Sequence, residues 1–311
     1  MMLPLLIFRN ARLLAPLSVI MGLIAWTGLI LPVCATPQTL EGLKLELLSE
    51  TTAIQPGVPF TVGLRIDHAP GQHTYWKNPG IVGVPTKLEW TLPAGFVAGE
   101  IEWPQPQLTM MAIYPVYGYE GETLLPVSIT PPESLDQANV TLQAAASWMC
   151  CGKTCHPGFT TLRLTLPIAG KNENPEPTAA QPLFVQARKD LPARTEAWKI
   201  TATLSEGQIT AEIVPTTGSL ANFALLKDSA AAGVYFFSSD GLIDSRPKQE
   251  ISELPGSGGL RLKLSISEHA PELPTEGARL KGVLEAKIQW ISGTTSTSTS
   301  TAIEIDTLIQ R

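Results

Sequence analysis

Apolar residues recur at every second position along most of this chain. Leu43, Leu45 and Leu47 begin the pattern, and Val62, Leu64, Ile66, then Leu125, Val127, Ile129, then Leu142, Ala144, Ala146, Trp148, then Leu162, Leu164, Leu166 continue it. Successive side chains of an extended strand point to opposite faces, so a period of two marks strands with one buried face. Breakers such as Gln55-Pro56-Gly57, Ala69-Pro70-Gly71, Pro93-Ala94-Gly95 and Pro131-Pro132 separate the runs. Short strands divided by Pro and Gly turns predict an antiparallel sandwich. With 27 Pro in 311 residues and almost no apolar run at helical spacing, helix bundles and parallel α/β folds are disfavoured.

A second series follows the same rule: Ile209, Ala211, Ile213; Val234, Phe236; Leu260, Leu262, Leu264, Ile266; Ile288, Trp290; Ile303, Ile305. The fold expected is therefore all-β, with two immunoglobulin-like antiparallel β-sandwich domains over 36–168 and 196–311. Between them, 169–195 reads as a Pro-rich linker carrying one short helix over 183–189. The Ser/Thr run 294–301 reads as a hairpin tip. Residues 1–35 form the targeting segment: Arg9 and Arg12 precede an uncharged run from Leu13 to Val33, and Val33-Cys34-Ala35 supplies a small-residue exit. Cleavage after Ala35 is the expectation, with an uncleaved anchor or a lipid on Cys34 as the alternatives. All three place the rest of the chain outside the cytoplasm. A formal net charge of −6 without any basic cluster argues against nucleic acid as a partner.

Chemistry concentrates in one stretch, Ser147-Trp148-Met149-Cys150-Cys151-Gly152-Lys153-Thr154-Cys155-His156-Pro157-Gly158, between two predicted strands. Three cysteines in an exported chain are an odd number, so one thiol stays free or pairs elsewhere. Cys151 and Cys155 flank a glycine that lets the chain turn back and bring them within bridging range, whereas Cys150 and Cys151 can join only as a strained vicinal ring. A bridge closing so short a loop removes little entropy from the unfolded chain, so it makes better sense as exchange chemistry than as scaffolding. Lys153 and His156 are the neighbouring groups that would favour a thiolate. Two rival readings stand: an inert local bridge, and a copper or zinc site built from Cys150, Cys151, Cys155 and His156. No Gly-x-Ser-x-Gly elbow or paired-histidine spacing supports a hydrolase or zinc protease. Tyr114, Tyr117, Tyr119 and Glu120 read as an aromatic sandwich corner, with a cap over a reactive site as the sharper alternative.

An ordered set of motifs runs through the first half: His73-Thr74-Tyr75-Trp76-Lys77-Asn78-Pro79-Gly80, Gly83-Val84-Pro85-Thr86, Trp90, Ile101-Glu102-Trp103-Pro104, Tyr117-Gly118-Tyr119-Glu120, and Trp148 before Cys151-x3-Cys155. Over about 40–168 the chain resembles the N-terminal periplasmic domain of the DsbD and ScsB thiol:disulfide interchange proteins, in particular the ScsB-like branch; over about 196–309 the likeness is looser. The resemblance implies a periplasmic immunoglobulin-like sandwich that needs no cofactor beyond its redox-active disulfide. Its cysteine pair, matched here by Cys151 and Cys155, would accept electrons from a membrane-embedded DsbD/CcdA-like hub and pass them to thioredoxin-fold partners. Those relatives continue into the hub and a thioredoxin-like domain, so a chain ending at Arg311 would draw its electrons from a separate membrane protein. Cys150 departs from the apolar residue usual before the first redox cysteine.

Overall fold

The computed structural model describes residues 37–170, 173–194, 196, 198–216, 234–271, 274, 277–285 and 302–310, all within one compact unit. The expected targeting segment with Cys34, the expected strand at Ile288 and Trp290, and the Ser/Thr run 294–301 fall outside them.

In chain order the first half contains β1 (Gln38–Leu40), β2 (Leu43–Ser49), β3 (Phe60–His68), β4 (His73–Gly80), β5 (Lys87–Thr91), β6 (Val97–Ile101), β7 (Gln107–Met111), β8 (Tyr114–Glu120), β9 (Glu122–Thr130), β10 (Asn139–Cys151) and β11 (Cys155–Pro167). They form two sheets, β1-β2-β3-β9-β6 and β11-β10-β4-β8-β7, with β5 added alongside β10. The period-two residues meet between the sheets: Leu45, Leu47, Val62, Leu64, Leu125 and Val127 from one, Leu142, Ala144, Trp148, Leu162 and Leu164 from the other. This is the expected immunoglobulin-like sandwich. Tyr117 and Tyr119 are core residues of it, and Tyr119 donates a hydrogen bond to the Pro104 carbonyl at 2.7 Å, while Tyr114 is exposed.

Helix α1 (Gln181–Lys189) starts with Pro182 in its first turn, where a missing N–H costs nothing, and ends on Arg188 and Lys189, which suit its negative end. The segment around it is not a free linker. Phe184 and Ala187 are buried against Leu48 and Leu124, Thr51 bridges to Pro177, and Thr178 donates to the Ser49 carbonyl. The expected interdomain linker is thus docked on the outside of the first sandwich.

The second half adds β12 (Trp198–Ser205), β13 (Gln208–Pro215), β14 (Tyr235–Ser238), β15 (Glu250–Leu254), β16 (Gly259–Ser265), β17 (Arg279–Glu285) and β18 (Ala302–Gln310), in the order β14-β17-β18-β12-β13-β16-β15. Phe236 and Leu284 from one end of that path share a core with Ile213 and Leu262 from the other, so the sheet curls over on itself. The halves also share packing. Phe237, Val283 and Ala302 join the core of the first sandwich, and the Tyr117 ring meets Phe237 edge-on at 5.0 Å.

Candidate functional site

β10 and β11 pair in unbroken register from Asn139↔Pro167 to Cys151↔Cys155, so the two cysteines are cross-strand neighbours at the turn end of a long hairpin. Their Cα atoms are 4.1 Å apart and the sulfurs are joined in a disulfide. The register sets the two residues directly opposite one another, which is what brings them within bridging range. Gly152, Lys153 and Thr154 connect the strands. A Cβ at Gly152 would come within 2.6 Å of both the Gln72 side chain and the Gly71 carbonyl, so the hairpin tip rests against the β3–β4 turn as only glycine allows. Further down, the Trp148 ring lies over Gly158, its cross-strand partner.

Strand parity separates the adjacent cysteines. Trp148 and Cys150 face the core between the sheets, while Cys151 faces outward into a small cluster with Tyr75 and Val116, packed by Val82, Met111 and Met149. Cys150 is fully buried, donates to Gln72 Oε1 at 3.6 Å, and has its pKa pushed up to about 11 by burial. The two bridged cysteines differ as well: Cys151 is completely buried and Cys155 is exposed. On the outer face, β11 continues past Cys155 with Pro157 and then Phe159, a phenylalanine 87% exposed on the sheet's edge strand.

The remaining predicted groups lie elsewhere. Lys153 is exposed in the turn. His156 lies on the opposite side of β11 from the sulfurs, with Nδ1 3.2 Å from Glu41 and Nε2 2.7 Å from Thr154 Oγ1. Cys150, Cys151, Cys155 and His156 therefore do not converge on one point, and among the described residues no three His, Cys, Asp or Glu side chains are grouped to hold a metal ion.

Two neighbours of the bridge come from the far part of the sequence. β4 pairs His73 with Cys151 on one side and with Glu120 of β8 on the other, giving a rung Cys155, Cys151, His73, Glu120 across four strands. Tyr75, two residues on and on the same face, meets the His73 ring edge-on at 5.1 Å. Burial lowers the pKa of His73, with Glu120 opposing, and pushes Tyr75 up to about 12. Alternation marks both as one-face residues of a strand; it does not reveal which strand lies beside them.

An all-β sandwich with a disulfide at the turn end of an edge hairpin defines the class. Residues 44–167 match the family model described as thiol:disulfide interchange protein DsbD, N-terminal. That match bears out the resemblance drawn from the motifs over nearly the span where they lie. Among solved structures, the N-terminal periplasmic domain of ScsB from Proteus mirabilis is similar at 16% identity and a TM-score of 0.62, covering 90% of this chain and 99% of that one. The shared fold therefore extends through the second half. The periplasmic chaperone SfaE is far less similar, at 8% identity and a TM-score of 0.22 over 85% of this chain and 100% of that one. No curated protein matches in sequence.

Proposed function

We propose that this chain is a periplasmic thiol:disulfide interchange protein that passes electron pairs through Cys151 and Cys155. The observation that carries the reading is the asymmetry of the bridge: one cysteine exposed at the hairpin tip, the other fully buried. Exchange requires a sulfur that an incoming thiolate can reach in line with the bond it breaks, and Cys155 is the accessible one. A reductant therefore attacks Cys155 and releases Cys151. In the reverse direction the Cys155 thiolate attacks a partner's disulfide and Cys151 resolves the mixed disulfide. The partners are thioredoxin-fold proteins, and the electrons come from a membrane-embedded donor of the DsbD/CcdA type; the family match and the shared ScsB fold support that assignment.

Equilibrating residues 36–311 with glutathione and counting free thiols tests the reading. A potential between roughly −150 and −270 mV fits an exchange protein, and one below about −300 mV refutes it in favour of an inert bridge. In the same assay Cys151→Ser should trap a mixed disulfide with a thioredoxin-fold protein through Cys155.

A further inference from the structure

If Cys151 and Cys155 are an exchange pair, reduction releases a sulfur into a fully buried site. Cys151 is fully buried, and its immediate cluster of Tyr75, Val116, Val82, Met111 and Met149 is apolar apart from one hydroxyl. A thiolate born there is costly unless a donor receives it. Two donors stand beside it with nothing to do. His73 is the cross-strand partner of Cys151 on the same sheet face, which sets their Cβ atoms about 5 Å apart. The side chain is 2% exposed, and among the described residues its Nε2 has no hydrogen-bond partner. Tyr75 is fully buried in the Cys151 cluster, and its hydroxyl also lacks a partner among the described residues. Leaving a buried donor unused costs about 1–3 kcal/mol, so folds keep few of them. Here two adjoin each other and the sulfur that must depart.

We infer that His73 and Tyr75 are positioning residues that donate hydrogen bonds to the Cys151 sulfur once its bond to Cys155 breaks. The inference rests on the exchange reading above. The thiolate of a partner dithiol attacks Cys155 Sγ and forms a mixed disulfide there; the Cys151–Cys155 bond breaks and its electron pair stays on Cys151 Sγ. His73, in the tautomer with its proton on Nε2, and the Tyr75 hydroxyl then gain the acceptor they lack in the bridged state. The partner's second thiolate attacks its own sulfur in the mixed disulfide and expels Cys155 as thiolate. The partner leaves as a disulfide, two electrons reside on the pair, and the two protons that the partner's thiols release to solvent are balanced by those the Cys151 and Cys155 thiolates take up when they protonate. Burial keeps both donors in the needed form, holding His73 uncharged and Tyr75 protonated. The charged or titratable groups facing His73 are Glu120 across β8 and His68 of β3.

The test compares wild type, Tyr75→Phe, His73→Leu and His73→Gln in glutathione equilibria alongside thermal melts. Losing a donor should favour the disulfide by roughly tenfold, about 30 mV more negative, in Tyr75→Phe and in His73→Leu. His73→Gln keeps an N–H and should stay within about threefold of wild type by the same hydrogen-bond argument. Tyr75→Phe changes no shape and removes an unpartnered hydroxyl, so it should melt no lower than wild type while its potential falls; it decides the matter if His73→Leu does not fold. Folded Tyr75→Phe and His73→Leu proteins that both keep the wild-type potential would overturn the inference while leaving the exchange reading intact, and where His73→Leu does not fold a wild-type potential in Tyr75→Phe alone overturns it. A wild-type bridge that never equilibrates with glutathione overturns both.

Discussion

Replacing Cys150 by Ala removes a thiol that the fold keeps protonated. Its core position raises the pKa to about 11 from an ordinary 9.0. Below pH 9 the folded and unfolded chains both hold the proton, and the thiol has no effect on the pH dependence of stability. Above it the unfolded chain ionises first, so stability falls as pH rises towards the folded value. At pH 10 that gap is worth about 1.4 kcal/mol. The assay is urea unfolding at pH 8 and pH 10 in a Cys151→Ser, Cys155→Ser background, where no bridge can reshuffle, with and without Cys150→Ala. Tyr75, Tyr117, Tyr119 and Tyr235 also ionise late in the fold, but they are common to both proteins and cancel. The protein retaining Cys150 should lose about 1.4 kcal/mol more over that interval than the one without it. Equal losses would refute the placement of this thiol in a dry core and reopen its access to the neighbouring bridge.

Two further substitutions probe the hairpin. Phe159→Ser removes an aromatic ring that is 87% exposed, so stability should stay within about 0.5 kcal/mol, yet exchange with a protein dithiol should slow severalfold while exchange with glutathione is unchanged. Equal slowing with both reductants would argue against a docking role. Gly158→Ala places a Cβ 2.4 Å from the Trp148 ring, and forcing that ring aside should cost about 1–3 kcal/mol in denaturant unfolding; an unchanged midpoint would mean Trp148 is not seated as described.

The strands and the hairpin were legible because alternation is local. Leu142 to Trp148 and Leu162 to Leu166 each declare a buried face, and Gly152 between two cysteines declares a turn. The same alternation carried two residues further puts Cys150 in the core with Trp148, a signal that the pull of its cysteine neighbours obscured. The docking of the Pro-rich segment was half visible: Leu183, Phe184 and Ala187 have helical spacing, and a helix with an apolar side needs a surface to cover. The placement of His73 beside Cys151 was not legible at all. That contact depends on β4 and β10 becoming neighbours across 77 residues of intervening chain, and pairing over such distances is decided by the packing of the whole sandwich rather than by any local pattern.

The hairpin's own register explains why its bridge can serve chemistry. Thirteen residues on each strand pair from Asn139↔Pro167 to Cys151↔Cys155, and the inward half of them is locked into the main core. The cysteines are therefore held opposite one another whether or not a bond joins them. A bond closing about five residues restricts the unfolded chain by only about 2 kcal/mol, against about 3 for a 15-residue loop. Opening it should leave the sandwich folded, with the sulfurs still adjacent and the exposed one still at the edge. A bridge whose partners stay in place when it opens can be made and broken repeatedly without remaking the fold, which is the condition an electron carrier built on a β-hairpin has to meet.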